Sequence, residues 1–162
     1  MNPAKLACGS FALVIGLGVA LAGWESYVPR TIQSVIEAHK AKISSDTTYT
    51  ADNFATRASV VYQGKIQAIP PSRLKFLGEY LGKFRGHPEW ISNFSEEILC
   101  RENGKDFWLP IQAGVLRYFR DEVSPGATVD VFVTWVGALK TADRIDWVFT
   151  VNEFQLQKAE AK

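Results

Sequence analysis

The chain has 162 residues, of which 47% are hydrophobic, 22% charged and 12% aromatic, a composition that excludes disordered, collagen-like and low-complexity proteins. Its formal net charge of +1 argues against nucleic acid as a partner, because phosphate backbones call for a strongly basic face. One folded domain with a core of its own is expected, and residues 54–155 should form it.

From the N-terminus, Leu6 to Gly23 is a run of eighteen uncharged residues behind Lys5. That is the layout of an export signal. Ala20-Leu21-Ala22 offers the small-x-small pattern of a cleavage site. The same eighteen residues would make a helix about 27 Å long, enough to cross a bilayer core as an uncleaved anchor. Residues 1–23 are therefore expected to be an apolar helix serving as a signal peptide or a single transmembrane anchor, with the domain exported to the periplasm or the outer face of the cytoplasmic membrane. The membrane is a partner if the segment is kept. Beyond it only Cys100 remains, so no intrachain disulfide is possible.

Residues 24–53 read as an amphipathic stalk helix and a linker. Thr31 can cap a helix from Ile32 to about Ile43, with Ile32, Val35, Ile36, His39 and Ile43 on one face. The polar stretch SSDTTYTADN follows. Arg57 to Ile69 then alternates as a strand, with Gly64 where a bulge would sit. Pro70-Pro71-Ser72 stops it, and Ser72 is expected to cap a helix whose stripe is Leu74, Leu77, Leu81 and Phe84. Gly78 and Gly82 weaken that helix by roughly 1 kcal/mol each unless something packs closely on them.

The clearest local signal is EEILCRENGKDFWLPI, residues 96–111, in which Asn103-Gly104 suits a type I′ turn. A two-residue loop pairs Glu102 with Lys105, Arg101 with Asp106, Cys100 with Phe107, Leu99 with Trp108 and Ile98 with Leu109. Cys100, Ile98, Phe107 and Leu109 then share the core face. A short helix with Val115, Leu116 and Phe119 inward comes next, ended by Ser124-Pro125-Gly126. Thr128 to Gly137 and Arg144 to Phe154 alternate as two long strands, and the polar tail 156–162 closes the chain.

This order predicts an α+β domain in which about five antiparallel strands form a bent sheet or small open barrel with two to three helices. With a helix between its hairpins, it is similar in bare order to the oligonucleotide- and oligosaccharide-binding barrels. Fold similarity carries no function by itself.

Chemistry is sparse. Cys100 with His87 is the one candidate thiol and base, and the hairpin register turns Cys100 inward, away from a nucleophile's work. No His, Cys, Asp and Glu spacing suits a metal cage, no G-x-S-x-G occurs, and no phosphate-binding glycine loop is present. No cofactor or metal is expected. Loop RGHPEWISNF, residues 85–94, combines an ionisable pair, His87 and Glu89, with Trp90, and is the candidate ligand or partner contact. The region Arg57 to His87 is basic, with Arg73, Lys75, Lys83 and Arg85 as a candidate surface for anionic headgroups or an acidic partner. The resulting functional expectation is a small envelope binding or accessory module with an envelope protein as possible partner. The alternative is a small hydrolase or thiol enzyme using His87, Glu89 and Cys100.

Overall fold

A computed structural model describes residues 26–43, 46–140 and 142–157, with side chains except at 51–54. The apolar segment lies outside the described residues, and among these no helix is long and apolar enough to cross a membrane.

The architecture is set by one strand, β2, which runs from Thr47 to Ala68. Its 22 residues would span about 70 Å if straight, nearly twice the width of a domain this size. It must bend. Register shifts between Tyr49 and Phe54 and between Tyr62 and Ile66 allow this, the second lying around Gly64 as the sequence suggests. The first part of β2 pairs with one neighbour and the second part with another, so the strand wraps the sheet round on itself.

The neighbours are β3 (Phe94–Glu102), β4 (Lys105–Gln112), β5 (Thr128–Lys140) and β6 (Ile145–Leu156). Hydrogen bonding runs β2-β3-β4-β6-β5 and returns to β2. This is an α+β barrel as expected, but the five-stranded ring is closed rather than a bent sheet or open barrel. The strands are also not all antiparallel, for a reason of parity: directions cannot alternate all the way round a ring of five. The unavoidable parallel pair is β4 with β6, at Ile111 and Val151. A short β1 (Val28–Pro29) adds a second parallel pairing outside the ring, beside Thr56 and Arg57 of β2.

Inside the barrel the pleat does what its alternation implies. Ile98, Cys100, Leu109, Ile111, Val129, Val131, Val133, Phe149 and Val151 form one buried core, each large side chain contributing roughly 1.5–3 kcal/mol. The β3–β4 hairpin has the expected register pair for pair, with Asn103 at φ 49° and Gly104 at φ 79° in the turn. Helix α3 (Ala113–Glu122) follows β4 and sends Val115, Leu116 and Phe119 into the same core.

Helix α1 (Ile32–His39) continues as a 3₁₀ turn, Lys40–Lys42. Its stripe of Ile32, Val35, Ile36 and Ile43 packs into the barrel core, near the turn of the β3–β4 hairpin, whose Glu102 bonds its first amides. The expected stalk is a plug. Its narrow stripe suffices because a barrel mouth is narrow too. Residues 47–53, expected in a linker, already belong to β2.

Between β2 and β3 a helical layer lies on the outside of the barrel: α2 (Pro71–Tyr80), a π-helical turn (Leu81–Arg85) and a 3₁₀ turn (Pro88–Asn93). Phe76, Leu77, Tyr80, Leu81, Trp90 and Phe94 enclose a second core with Val136 of β5 and Val148 of β6. Two details differ from expectation. No side chain caps α2, since its N-cap residue is Pro70, whose side chain carries no acceptor, while Pro71 in the first turn removes one of the orphan donors; Ser72 is not the cap. Phe84 is 43% exposed, because the π-helical turn takes in one extra residue and carries it off the buried face. Gly78 and Gly82 do have their close packing, against Ile91 and Pro88 of the 3₁₀ turn.

Candidate functional site

Three clusters on the helical layer gather the residues that sequence reasoning singled out. The innermost is ionic. Arg73, in the first turn of α2, reaches under the helix and grips Asp146 of β6 with two bonds, Nε to Oδ2 at 3.1 Å and Nη2 to Oδ1 at 2.7 Å. Its remaining Nη1 donates to Glu97 of β3, whose other oxygen accepts from Gln67 Nε2 at 2.7 Å. Glu97 is fully buried and Arg73 nearly so. Burial works against the guanidinium charge, but the Asp146 and Glu97 carboxylates outweigh it and hold the proton more firmly than usual. Arg73 is thus no part of a basic surface. It shares a helix face with Phe76, Leu77 and Tyr80, three, four and seven residues on, and that spacing was the available signal.

The second cluster is aromatic and cationic. Tyr49 of β2 stacks on Phe76 with ring centroids 4.6 Å apart and donates its hydroxyl proton to Glu79 at 2.6 Å. Burial first, and Glu79 second, push the Tyr49 hydroxyl well above its ordinary value. The exposed Phe84 ring lies 5.4 Å from Tyr49 and 5.7 Å from Tyr80. Cations stand over both neighbouring rings: Lys83 Nζ 5.5 Å over Tyr49 and Arg85 Cζ 5.7 Å over Tyr80. Lys75 and Lys83 both act on Glu79, whose carboxyl is held below its usual range by the Tyr49 bond first and by these two charges after. Lys75 and Lys83 therefore face one partly exposed carboxylate. Neither Tyr49, placed by sequence in a linker, nor Phe84, placed in the core, was legible as a member of this cluster.

The third cluster is the expected loop. His87 Nδ1 and Glu89 Oε1 meet at 2.9 Å, and the His87 ring lies parallel to Trp90 with centroids 4.1 Å apart. His87 and Glu89 are exposed while Trp90 is buried in the second core, its Nε1 without a hydrogen-bond partner. The Glu89 carboxyl is lowered by its own backbone N–H and then by His87. These three residues do come together. Cys100 does not join them: it lies in the barrel core, on the inner side of the sheet, where burial pushes the thiol up to about 12. The other histidine, His39, is buried, with Nδ1 2.7 Å from the Val35 carbonyl oxygen and its ring tilted on Trp135.

Among the described residues no three His, Cys, Asp or Glu side chains stand close enough to hold a metal ion. Compared with family models, with curated proteins and with solved structures, the chain matches none. A functional reading therefore has to stand on the three clusters.

Proposed function

We propose that the chain is an exported or membrane-anchored binding module of the cell envelope, with the barrel as scaffold and the helical layer 69–93 as its contact surface. One observation carries this: an exposed aromatic residue, Phe84, packs beside Tyr49 and Tyr80, over whose rings stand Lys83 and Arg85, on a layer that the Arg73 clamp fastens to the barrel. Rigid scaffolds that display a few exposed aromatic and cationic groups are suited to recognition. The ring order, with a helix between its third and fourth strands, resembles the oligonucleotide- and oligosaccharide-binding barrels, an analogy that supports a binding role and nothing finer. A thiol enzyme using His87, Glu89 and Cys100 has less support, since Cys100 is enclosed away from the other two.

The test is a photo-crosslinking residue at Phe84 in intact cells, with the same residue at exposed Gln155 as control. A discrete adduct with protein or lipid at position 84 alone is expected. Equal or absent adducts at both positions would overturn the contact surface. Export is checked separately: a reporter active only outside the cytoplasmic membrane should work when fused after Lys162, and activity of a cytoplasm-only reporter there would sink that part.

A further inference from the structure

The occupant of the Phe84 surface follows from its size and charge, taken together with the place where the chain joins the fold. We infer that it is the anionic headgroup layer of the membrane toward which segment 6–23 leads, with Phe84 entering the interface. This rests on the binding-module reading above and names its partner.

Size speaks first. A standard protein interface covers about 800 Å² per partner around a buried group of anchors. In the helical layer the described surface offers a single exposed large hydrophobic side chain, Phe84. One exposed aromatic ring with two cations over its neighbouring rings is little for a protein partner and enough for a bilayer interface, where rings sit at headgroup level and long basic side chains reach outward to phosphate. Charge agrees with this. Lys75 and Lys83 act on Glu79, and that carboxylate is already bonded to Tyr49 and 3.7 Å from Lys83 Nζ, while Arg85 stands over the Tyr80 ring. Each cation well placed at an anionic surface is worth about fivefold in binding, so the patch alone is a weak ligand for lipid.

Attachment removes that weakness. The chain is pinned to the barrel at Tyr27, whose ring stands edge-on to Phe132 at 5.3 Å and whose hydroxyl accepts from Asn152 Nδ2 at 3.2 Å. Gly23 is four residues earlier, so the apolar segment ends within about 14 Å of this point. Next to it β1 pairs with Thr56 of β2, seven residues from Tyr49 on the same strand, a span of about 23 Å at most. The Phe84 cluster is thus within one domain width of the place where the membrane segment would leave. Held that close, a weak patch works at an effective concentration in the millimolar range and docks without further contacts.

The experiment uses the full chain with nanodiscs of phosphatidylcholine alone or with added phosphatidylglycerol, each carrying a lipid with a headgroup spin label. The expected result is paramagnetic broadening of the amides of residues 82–86 in the anionic discs, much less of it in neutral discs, and loss of the difference in concentrated salt. Replacing Lys75 and Lys83 together by glutamine should lower the docked-to-undocked ratio roughly 25-fold, and Phe84→Ser should also weaken it. Unchanged amide positions in the barrel core would show that both variants fold. Absence of broadening at 82–86 in anionic discs overturns the lipid assignment, whether or not the chain is inserted in the disc. Equal broadening in neutral and anionic discs overturns it as well. If a protein adduct still forms at position 84 in cells, the binding-module reading survives with a protein partner; without an adduct of either kind, both readings fall.

Discussion

The Glu102 carboxylate and the Ile32 amide, 70 residues apart in sequence, meet at 2.9 Å in the buried mouth of the barrel. The second Glu102 oxygen accepts from Gln33 N at 3.0 Å, and Thr31 Oγ1 takes the Ser34 amide. Three orphan donors of α1 are thereby satisfied, two of them by a charge placed at the positive end of the helix. Glu102→Ala should therefore destabilise the fold by about 2–3 kcal/mol, because it leaves one buried and one part-buried amide unbonded. Lys105→Ala should stay within about 0.5 kcal/mol, although Lys105 is the cross-strand neighbour of Glu102. Urea denaturation of both variants separates the cap from the ion pair that the hairpin register alone suggests. Equal losses would mean that α1 is not held by Glu102.

Two glycines should respond to substitution for different reasons. Gly104 has φ 79° and open space around it, so only backbone conformation restricts it. Gly104→Val should cost more than 1 kcal/mol, while Gly104→Asn, which tolerates positive φ, should be milder. At Gly137 a β-carbon would stand 2.1 Å from the Thr48 carbonyl oxygen and 2.8 Å from Phe76 Cζ. Gly137→Ala should then be worse than Gly104→Ala, as it pushes β2 and α2 away together. Thermal melting of the two alanine variants gives the comparison, and the reverse order would mean that β2 does not pass so close.

Local signals were legible and closures were not. The Asn103-Gly104 turn, the inward Cys100, the α3 stripe and the alternation of β5 and β6 each rest on a few adjacent residues, and each was readable before the structure. The barrel closure depends on β2 pairing with both β3 and β5, a relation between distant segments that periodicity does not express. Its parallel β4–β6 pair follows from parity once closure is known. Arg73 was misplaced because a basic residue beside an apolar stripe reads as surface, whereas here a buried carboxylate, Glu97 of β3, and a partly exposed one, Asp146 of β6, await it. Phe84 was misplaced because a π-helical turn leaves no mark in the spacing. In the candidate site, His87, Glu89 and Trp90 were found together since they are neighbours in sequence, and Tyr49 was missed since it is not.

The Arg73 clamp makes a prediction about imbalance. Arg73→Met keeps most of the packing volume but strands Glu97, which is fully buried, and Asp146, which is partly exposed. Removing one partner of a buried ion pair typically costs about 3–5 kcal/mol, and most of this should come from Glu97, because water can reach Asp146. Adding Glu97→Gln to Arg73→Met should accordingly recover more than half of the loss, whereas adding Asp146→Asn should recover less. Urea midpoints of the two double variants decide it. A cost below about 1 kcal/mol for Arg73→Met would mean that the carboxylates rehydrate freely and that α2 is not clamped.

Cys100 should make the fold sensitive to alkali. Enclosed in the barrel core, its thiol is pushed up to about 12, against about 8.5 for a free cysteine. The folded state thus holds this proton more tightly than the unfolded chain does. The stability contributed by the neutral thiol is complete below about pH 8.5 and declines as pH rises toward the folded value. At about 1.4 kcal/mol per pH unit, on the order of 2 kcal/mol should be lost between pH 8.5 and 10. The raised hydroxyls of Tyr27, Tyr49 and Tyr62 add their losses only at higher pH, since an ordinary tyrosine titrates near 10. Cys100→Ala should start from a lower stability, because it leaves a small void in the core, and yet show a flatter profile over this window. Urea midpoints measured from pH 7.5 to 10 compare the two proteins directly, and any contribution of Cys8 is common to both. Parallel profiles would mean that the Cys100 thiol ionises without opening the barrel, and that its side of the hairpin is wetter than its packing implies.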